Sequence, residues 1–407
     1  MNILIISFHT CPVNKLGEKD TGGLNLYVHQ LSEQLGEKDH NVDIYTRKHD
    51  KSDPIEIDIN QNSKLIHIDA GDLNQNKNEM VEYINLFTSN MVEYINENSI
   101  NYDLIYSNYW MSGIIGSHLS KAFDIPHIIS FHTMGKTKRT VNHLEHETDF
   151  RISNEIELIK DSDAIIVPSL QEQENLEENY THNNNIYTVS PGVDLDKFKR
   201  LDKVDSRKKL GIDQNTLILL SVGRLEPLKG YDLLINSLSY INLENINFKL
   251  IIIGGDDRSN KELQRLKQIA KINKVDDKID FMGVVDHNIL PLYFSASDIF
   301  TMPSAYETFG IAALEASACG LPVIAPQVGG LKSIIKHGMT GYLTVNRCPE
   351  AFMHYMEILL KNKQIRDVFG LNSRKHAMNF SWEKSTEDLI EVFEKILDEV
   401  VAWKLKP

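Results

Sequence analysis

Two carboxylates carry the first chemical signal. Glu307 and Glu315 stand with seven residues between them in the stretch Thr301 to Gly330, TMPSAYETFGIAALEASACGLPVIAPQVGG. Pro303, Ser304 and Gly310 punctuate a loop, and Ile311 to Cys319 is Ala-rich with helical spacing until Gly320-Leu321-Pro322 stops it. Val323-Ile324-Ala325 then reads as a short buried strand. Glu307 therefore falls in the loop and Glu315 in the helix. Taken singly, either acid is more often a cap or a solvated group. Glu315, however, lies among Ala312, Ala313, Ala316 and Ala318, residues that pack, and a carboxylate buried there needs polar partners. The hydroxyls of a ribose or a hexose would supply them. The amides around Phe309, Gly310 and Ile311 open the helix and can face an anion.

These residues must be positioned by a regular framework, and the chain supplies one. Ile3 to Ser7 is a strand, Phe8 to Asp20 a long loop, and Gly22-Gly23 precedes a helix with apolar residues at Leu24, Val28, Leu31 and Leu35. Glycines at a helix start let backbone amides approach a ligand with no Cβ in the way. Strands follow at 42–47, 64–70, 102–107, 127–131 and 164–169, with helical spacing over 80–96, 114–123 and 151–160. His132 and Thr133 stand at the carboxyl end of one of these strands. The polar segment Asp194 to Asp205 reads as a linker. A second alternating series then begins. Strands are expected at 217–222, 248–253, 279–281 and near Leu343, and helices at 231–240, 262–273, 289–295, 350–361, 365–378 and 385–403. Strand–helix alternation predicts parallel, doubly wound sheets, and such sheets bind ligands beyond the carboxyl ends of their strands.

The 407 residues suffice for two domains. A formal net charge of -14 argues against nucleic acid as the main partner and gives no general attraction to anionic lipid. The three cysteines, Cys11, Cys319 and Cys348, are far apart in sequence and form neither a metal spacing nor a disulfide framework, so a reducing, cytoplasmic setting is expected. No apolar run reaches membrane length, and the first seven residues lack the basic start of a leader. A D-x-D at a strand end is absent; Asp256-Asp257 follows Gly254-Gly255 and reads as a turn. The sequence leaves a homodimer open.

With Glu307 and Glu315 in F-G-x-x-x-x-E and P-V-I-A surroundings, the spacing resembles the E-x7-E signature of the retaining glycosyltransferases of family 4. The likeness extends over nearly the whole chain. It is carried by Ser7-Phe8-His9-Thr10, the run from Asp20 to Val28, Val42 to Arg47, Asp103 to Gly113, Ser190-Pro191-Gly192 and the run from Val222 to Gly230. Within the family the chain looks most like the enzymes that glycosylate inositol phosphate, and sucrose-phosphate synthases look similar over many of the same blocks. Asn108 departs from the pattern, since relatives usually have His there, and this weakens any inference about the acceptor.

The resemblance implies a GT-B fold, two Rossmann-like α/β domains facing a cleft. Residues 1–195 would form the acceptor domain, 196–383 the donor domain, and the helix at about 384–407 would cross back to the first. It implies transfer of a hexose, of glucose or N-acetylglucosamine type, from a nucleotide diphosphate sugar to a phosphorylated polyol or sugar such as inositol 1-phosphate, with retention of configuration; the alternative is a sucrose-phosphate synthase-like enzyme or one with a neutral-sugar or lipid-linked acceptor. UDP is the favoured nucleotide, with GDP and ADP open. Arg224 and Lys229, in G-R-x-x-x-x-K-G, match the pair that holds the donor diphosphate, where fixed cations stabilise a leaving group that gains negative charge. Glu307 matches the acid on the donor sugar and Glu315 the acid on the ribose. Phe309, Gly310 and Ile311 would offer amides to the donor, as would Gly22 and Gly23. His132 matches a positioning histidine close to the reacting sugar. Tyr109, Thr133 and Arg151, with Asn25 and Lys77, match the acceptor site, where Arg151 would grip a phosphate. The alternative for Arg151 is a brace paired with Glu147 or Glu155. No covalent catalyst, cofactor or metal is implied. An epimerase would need acids and a base that are not identifiable. A phosphorylase would need a pyridoxal-bound lysine, and a dehydrogenase a G-x-G-x-x-G after strand one. A non-catalytic nucleotide-sugar binder sits poorly with intact Arg224, Lys229, Glu307 and Glu315.

Overall fold

The computed structural model describes residues 1–13, 22–73, 79–141, 147–180, 185–243, 246–256, 259–345 and 347–404. Lys77 and Asp257 lie outside these. The chain folds as two units. Of the described residues, the first draws on 1–13, those from Gly23 to Ser190 and those from Trp382 onward, and the second on Gly22 and Pro191–Ser381. The divisions fall at 190/191 and 381/382, a few residues before those read from sequence.

The first unit holds strands β1 (Asn2–Ile6), β2 (Asn41–Arg47), β3 (Glu56–Asp58), β4 (Ser63–Ile68), β5 (Leu104–Asn108), β6 (His127–Ser130), β7 (Ala164–Val167) and β8 (Ile186–Thr188). They form one sheet in the order β3-β4-β2-β1-β5-β6-β7-β8. β1 pairs in parallel with β2, Asn2 opposite Asn41, and with β5, Ile3 opposite Leu104. Only the edge strand β3 runs antiparallel to its neighbour β4 among the named strands. The second unit holds β9 (Leu217–Val222), β10 (Phe248–Ile253), β11 (Ile279–Gly283), β12 (Ile299–Thr301), β13 (Val323–Pro326) and β14 (Gly341–Thr344), ordered β11-β10-β9-β12-β13-β14 and all parallel. Helices on both faces bury the central strands, and so Ile3–Ile6, Leu104–Tyr106 and Leu250–Ile253 are apolar runs without alternation. In each sheet the strand order reverses beside the first strand: at β1/β5 in one unit and at β9/β12 in the other. These are the switch points where such sheets take ligands.

The helix Trp382–Lys404 belongs to the first unit. Trp382 packs edge-on to Tyr27 with ring centroids 6.1 Å apart, and Phe393 meets Tyr106 at 5.5 Å.

Several elements differ from the sequence reading. The segment 194–205 is no loose linker. Phe198 is buried in the second core, and a helix, Lys203–Leu210, begins inside the segment. The segment reads as polar because its charges are partners: Lys203 bonds Asp298 at 2.6 Å and Lys197 meets His287 at 2.9 Å. The helix expected from Ile114 begins at Trp110, because Tyr109 takes a left-handed φ of 81° and caps it. The helix Leu170–Asn179 buries only Glu172 and Leu176, so it shows no apolar stripe; Ser169 caps it through the Glu172 amide at 3.3 Å. The short helix Gly135–Val141 likewise gave no periodic signal.

Candidate active site

The donor-side candidates gather at the switch point of the second sheet. β9 is followed by Gly223, whose amide bonds Ile253 O at 2.9 Å while its carbonyl accepts the Tyr231 hydroxyl at 2.9 Å. A Cβ at Gly254 would lie 1.9 Å from Gly223 O, so β10 can pass this close only with glycine there. Pro227–Lys229 makes a single tight turn that Gly230 closes at φ 70°. The turn is stitched to the loop after β12 by the Ala305 amide on Leu228 O at 2.8 Å. This stitching sets Lys229 beside Glu307: Nζ and Oε2 are 2.7 Å apart, and Ser304 Oγ donates to the same oxygen at 3.4 Å. Arg224 turns to Glu226 at 2.9 Å, and both stay about a third exposed, an ion pair that solvent screens.

Glu307, Thr308 and Phe309 are braced by Gly329 and Gly330. A Cβ on Gly329 would sit 1.7 Å from Glu307 O, and the Gly330 amide bonds Thr308 O at 3.1 Å. Gly310, at φ 103°, starts the helix Ile311–Ala318, whose first intrahelical amides, Ala313 and Leu314, bond Gly310 O. The Ile311 and Ala312 amides are thus among the helix's unsatisfied donors and carry the positive end of its dipole. Glu315, one turn on, is 3 % exposed, and its Oε1 accepts from His287 Nε2 at 2.7 Å. His287 Nδ1 in turn meets Lys197 Nζ at 2.9 Å. Neither Lys197 nor His287 is evident in the sequence as a site residue; His287 has only a weak signal, its place in the loop after a strand.

In the first unit the candidates cluster beyond β5 and β6. The Tyr109 amide bonds Ser130 O at 2.7 Å, joining the two strand ends. Phe131-His132-Thr133 is a three-residue turn, closed by the Thr133 amide on Phe131 O at 2.7 Å, with His132 at φ 58°. Such a turn is strained, and strain of this kind gathers at functional sites. His132 Nε2 bonds Asn108 Oδ1 at 2.9 Å, and its ring lies edge-on to Tyr27 at 4.9 Å. Burial pushes the His132 imidazole down to about 3, so it is neutral at ordinary pH. With Asn108 Oδ1 as acceptor, Nε2 carries the proton and Nδ1 keeps its lone pair.

Arg151 is 2 % exposed and heavily engaged. Nε donates to Glu155 at 2.7 Å, Nη1 to Glu147 at 2.9 Å, and Nη2 to Thr133 O and Oγ1 at 2.6 and 3.2 Å. Its guanidinium lies 5.0 Å from the Tyr109 ring centroid. Glu155 is itself anchored, accepting from the Gly135 amide at 2.9 Å and the Tyr180 hydroxyl at 2.5 Å. Glu147 Oε1 also takes Lys138 Nζ at 3.1 Å. The structure thus brings Tyr109, Thr133 and Arg151 together, and sets the two acids of the brace reading on Arg151 as well. Asn25, fully buried, donates to Thr10 Oγ1 and Cys11 O, each at 2.6 Å. Gly22 precedes the helix Gly23–Glu37, which Gly23 begins, and Lys77 lies outside the described residues. Among the described residues no group of three or more His, Cys, Asp or Glu could hold a metal, and no helix is long and apolar enough to cross a membrane.

Two sheets with this strand order, each carrying polar side chains at its switch point, are those of the GT-B class of glycosyltransferases, and known proteins of that class share them. Residues 21–197 match Glycosyltransferase Family 4 and residues 202–376 match Glycosyl transferases group 1. The chain belongs to this glycosyltransferase family. It is similar to the D-inositol 3-phosphate glycosyltransferases of Corynebacterium glutamicum, 31% identical over 97% of this chain and 96% of that one, and of Corynebacterium aurimucosum, 32% identical over the same shares. Among solved structures, sucrose-phosphate synthase from Thermosynechococcus elongatus superposes with a TM-score of 0.91 at 29% identity, over 98% of this chain and 99% of that one. Anabaena HepE, solved with UDP and glucose, shares the fold with a TM-score of 0.76 at 18% identity, over 97% of this chain and 99% of that one.

Proposed function

We propose that the protein transfers a hexose, with retention, from a nucleotide diphosphate sugar of the UDP type to a phosphorylated polyol or sugar. The observation that carries the donor half is the Lys229–Glu307 pair, 2.7 Å apart at the switch point of the second sheet. A diphosphate oxygen would draw the Lys229 ammonium and release Glu307 for the sugar hydroxyls, so one contact readies both groups. Lys229 and Arg224 then offset the charge that grows on the leaving diphosphate, aided by the amides at the start of the helix Ile311–Ala318. Glu315 takes ribose hydroxyls. No step in this reading needs a metal, and it is an enzyme of the cytoplasm, where its separate thiols stay reduced.

The acceptor half rests on Arg151, Tyr109 and Thr133, with inositol phosphate as first candidate, by likeness to the Corynebacterium relatives. In this reading an acceptor phosphate displaces Glu147 from Arg151 Nη1, while Glu155 keeps Nε fixed. His132, neutral and held by Asn108, lines the reacting face. The TM-score of 0.91 to a sucrose-phosphate synthase favours fructose 6-phosphate as second candidate. The test is nucleotide release from UDP-N-acetylglucosamine and UDP-glucose, each with inositol phosphate, fructose 6-phosphate and their unphosphorylated forms. The anomeric configuration of the product is read by proton NMR. Equal rates with and without the acceptor phosphate would overturn the acceptor assignment, and an inverted product would overturn retention.

A further inference from the structure

We propose that Lys197 and His287 are positioning residues that hold the Glu315 carboxylate in its ligand-binding state. The inference rests on the reading that Glu315 takes the ribose of the donor nucleotide. The three groups form one directed chain within the second unit. Asp194 Oδ1 accepts the Asp196 and Lys197 amides at 3.0 and 2.9 Å, a turn that fixes where Lys197 starts. An ammonium can only donate, so Lys197 Nζ, 2.9 Å from His287 Nδ1, makes that nitrogen an acceptor. The imidazole proton is thereby placed on Nε2, which donates to Glu315 Oε1 at 2.7 Å. The ring is kept in place by buried Phe198, whose centroid is 5.2 Å away, and by the turn in which Asp286 Oδ1 accepts the Asn288 amide at 2.8 Å.

This arrangement answers a physical need. Glu315 is 3 % exposed on a helix otherwise packed with alanines, and an ionised carboxylate there is costly without a donor. His287 supplies that donor at Oε1 and fixes the rotamer, so that Oε2 is presented to a ligand hydroxyl in one orientation. Lys197, 90 residues from His287 in sequence, thus reaches Glu315 through the ring. Burial lowers the Lys197 ammonium from its ordinary value, against the pull of Glu315, Asp194 and Asp286. His287 thus bonds two charged groups from two other segments, Lys197 and Glu315.

A mere brace and a positioning chain part company on one ratio: the affinity for UDP over 2′,3′-dideoxy-UDP, which lacks the hydroxyls, measured by calorimetry on the full chain. The wild type should prefer UDP by about tenfold or more, one charge-assisted hydrogen bond's worth. His287→Ala should bring the ratio to within about threefold by weakening UDP alone, and His287→Gln, which keeps an N–H donor, should recover part of it. Lys197→Met, at a partly exposed position, should give an intermediate ratio and serves if His287→Ala does not fold. If Glu315→Gln collapses the ratio while His287→Ala and Lys197→Met leave it intact, the chain is only a brace and the inference falls. If Glu315→Gln also leaves the ratio intact, or the wild type shows no preference, the ribose reading beneath it falls first.

Discussion

Replacing Lys229 with Met tests the donor site most directly. In the structure Nζ sits 2.7 Å from Glu307 Oε2, with 23 % of the lysine and 15 % of the glutamate side chain exposed. For folding, a partly exposed pair of this kind contributes at most about 1 kcal/mol. Glu307 would keep Ser304 Oγ and could reach water, so the variant should melt only a few degrees below the wild type. For catalysis the same ammonium faces charge that grows on the leaving diphosphate, and losing one preorganised donor costs about 2.7–4 kcal/mol. Partial exposure argues for the lower end, and at about 1.4 kcal/mol per decade that is a drop of roughly 100-fold in kcat/KM. The assay is coupled UDP release at saturating acceptor, with circular dichroism melts on the same preparations. A companion Glu307→Gln, with the double variant, closes a thermodynamic cycle; strong non-additivity in kcat/KM is expected because the two groups act on one donor. Activity within about threefold of wild type, in a variant that melts normally, would refute the assignment of Lys229.

Arg151→Lys should raise the acceptor KM by more than about tenfold and leave the donor KM nearly unchanged, since a lysine ammonium cannot hold Glu155 and Thr133 as the guanidinium does and still turn a donor to the phosphate; initial rates against each substrate check it. Because Arg151 also holds buried Glu155, the same change should cost about 1.5–3 kcal/mol of stability, read by urea melts; an unaltered acceptor KM beside such a loss would leave Arg151 as a brace alone. Acid should destabilise the fold through His127 and His132, both pushed by burial to about 3. Unfolded histidine titrates near 6.5, so this stability is complete above that pH and is lost as pH falls toward 3. His127→Gln should lower the slope of unfolding free energy between pH 6 and 4 by about 1.4 kcal/mol per pH unit, measured by denaturant titration. Gly254→Ala puts a Cβ 1.9 Å from Gly223 O, so the loop carrying Arg224 must shift; a Tm lowered by several degrees and a weakened donor are expected.

The sheets were legible because parallel strands buried on both faces read as unbroken apolar runs, as at Ile3–Ile6 and Leu250–Ile253. The segment 194–205 misled because its ionic residues are read as solvated until Asp298 and His287, far along the chain, are seen to receive Lys203 and Lys197. The sites divide in the same way. Glu307 and Lys229 stand out because local turns and glycines announce their loops. The Lys197–His287–Glu315 chain was invisible because none of its members is near another in sequence, and no periodicity encodes a contact between three loops and helices. The anchoring of Arg151 was half legible: Glu155 lies one helical turn on and Glu147 just before the helix, each four residues away, but the burial that makes the pairing costly to break depends on Tyr109 and Thr133. Asn108 announced itself only as a departure from pattern; its contact with His132 comes from two strand ends that β5 and β6 bring together.

That the helix Trp382–Lys404 joins the first unit has a consequence for biosynthesis. Ser190 leaves the ribosome long before Trp382, and at 5–20 residues per second the delay is roughly 10–40 s. Throughout it the nascent first unit lacks the helix that covers Tyr27 and Tyr106, whereas 191–381 emerges as an uninterrupted segment. The second unit can therefore mature first, while the earlier one waits with an apolar strip uncovered, a natural binding surface for a chaperone. Stop codons that remove Phe393 and the residues after it should for this reason yield aggregates seeded by the amino-terminal half, even though every residue of the donor loops has been made.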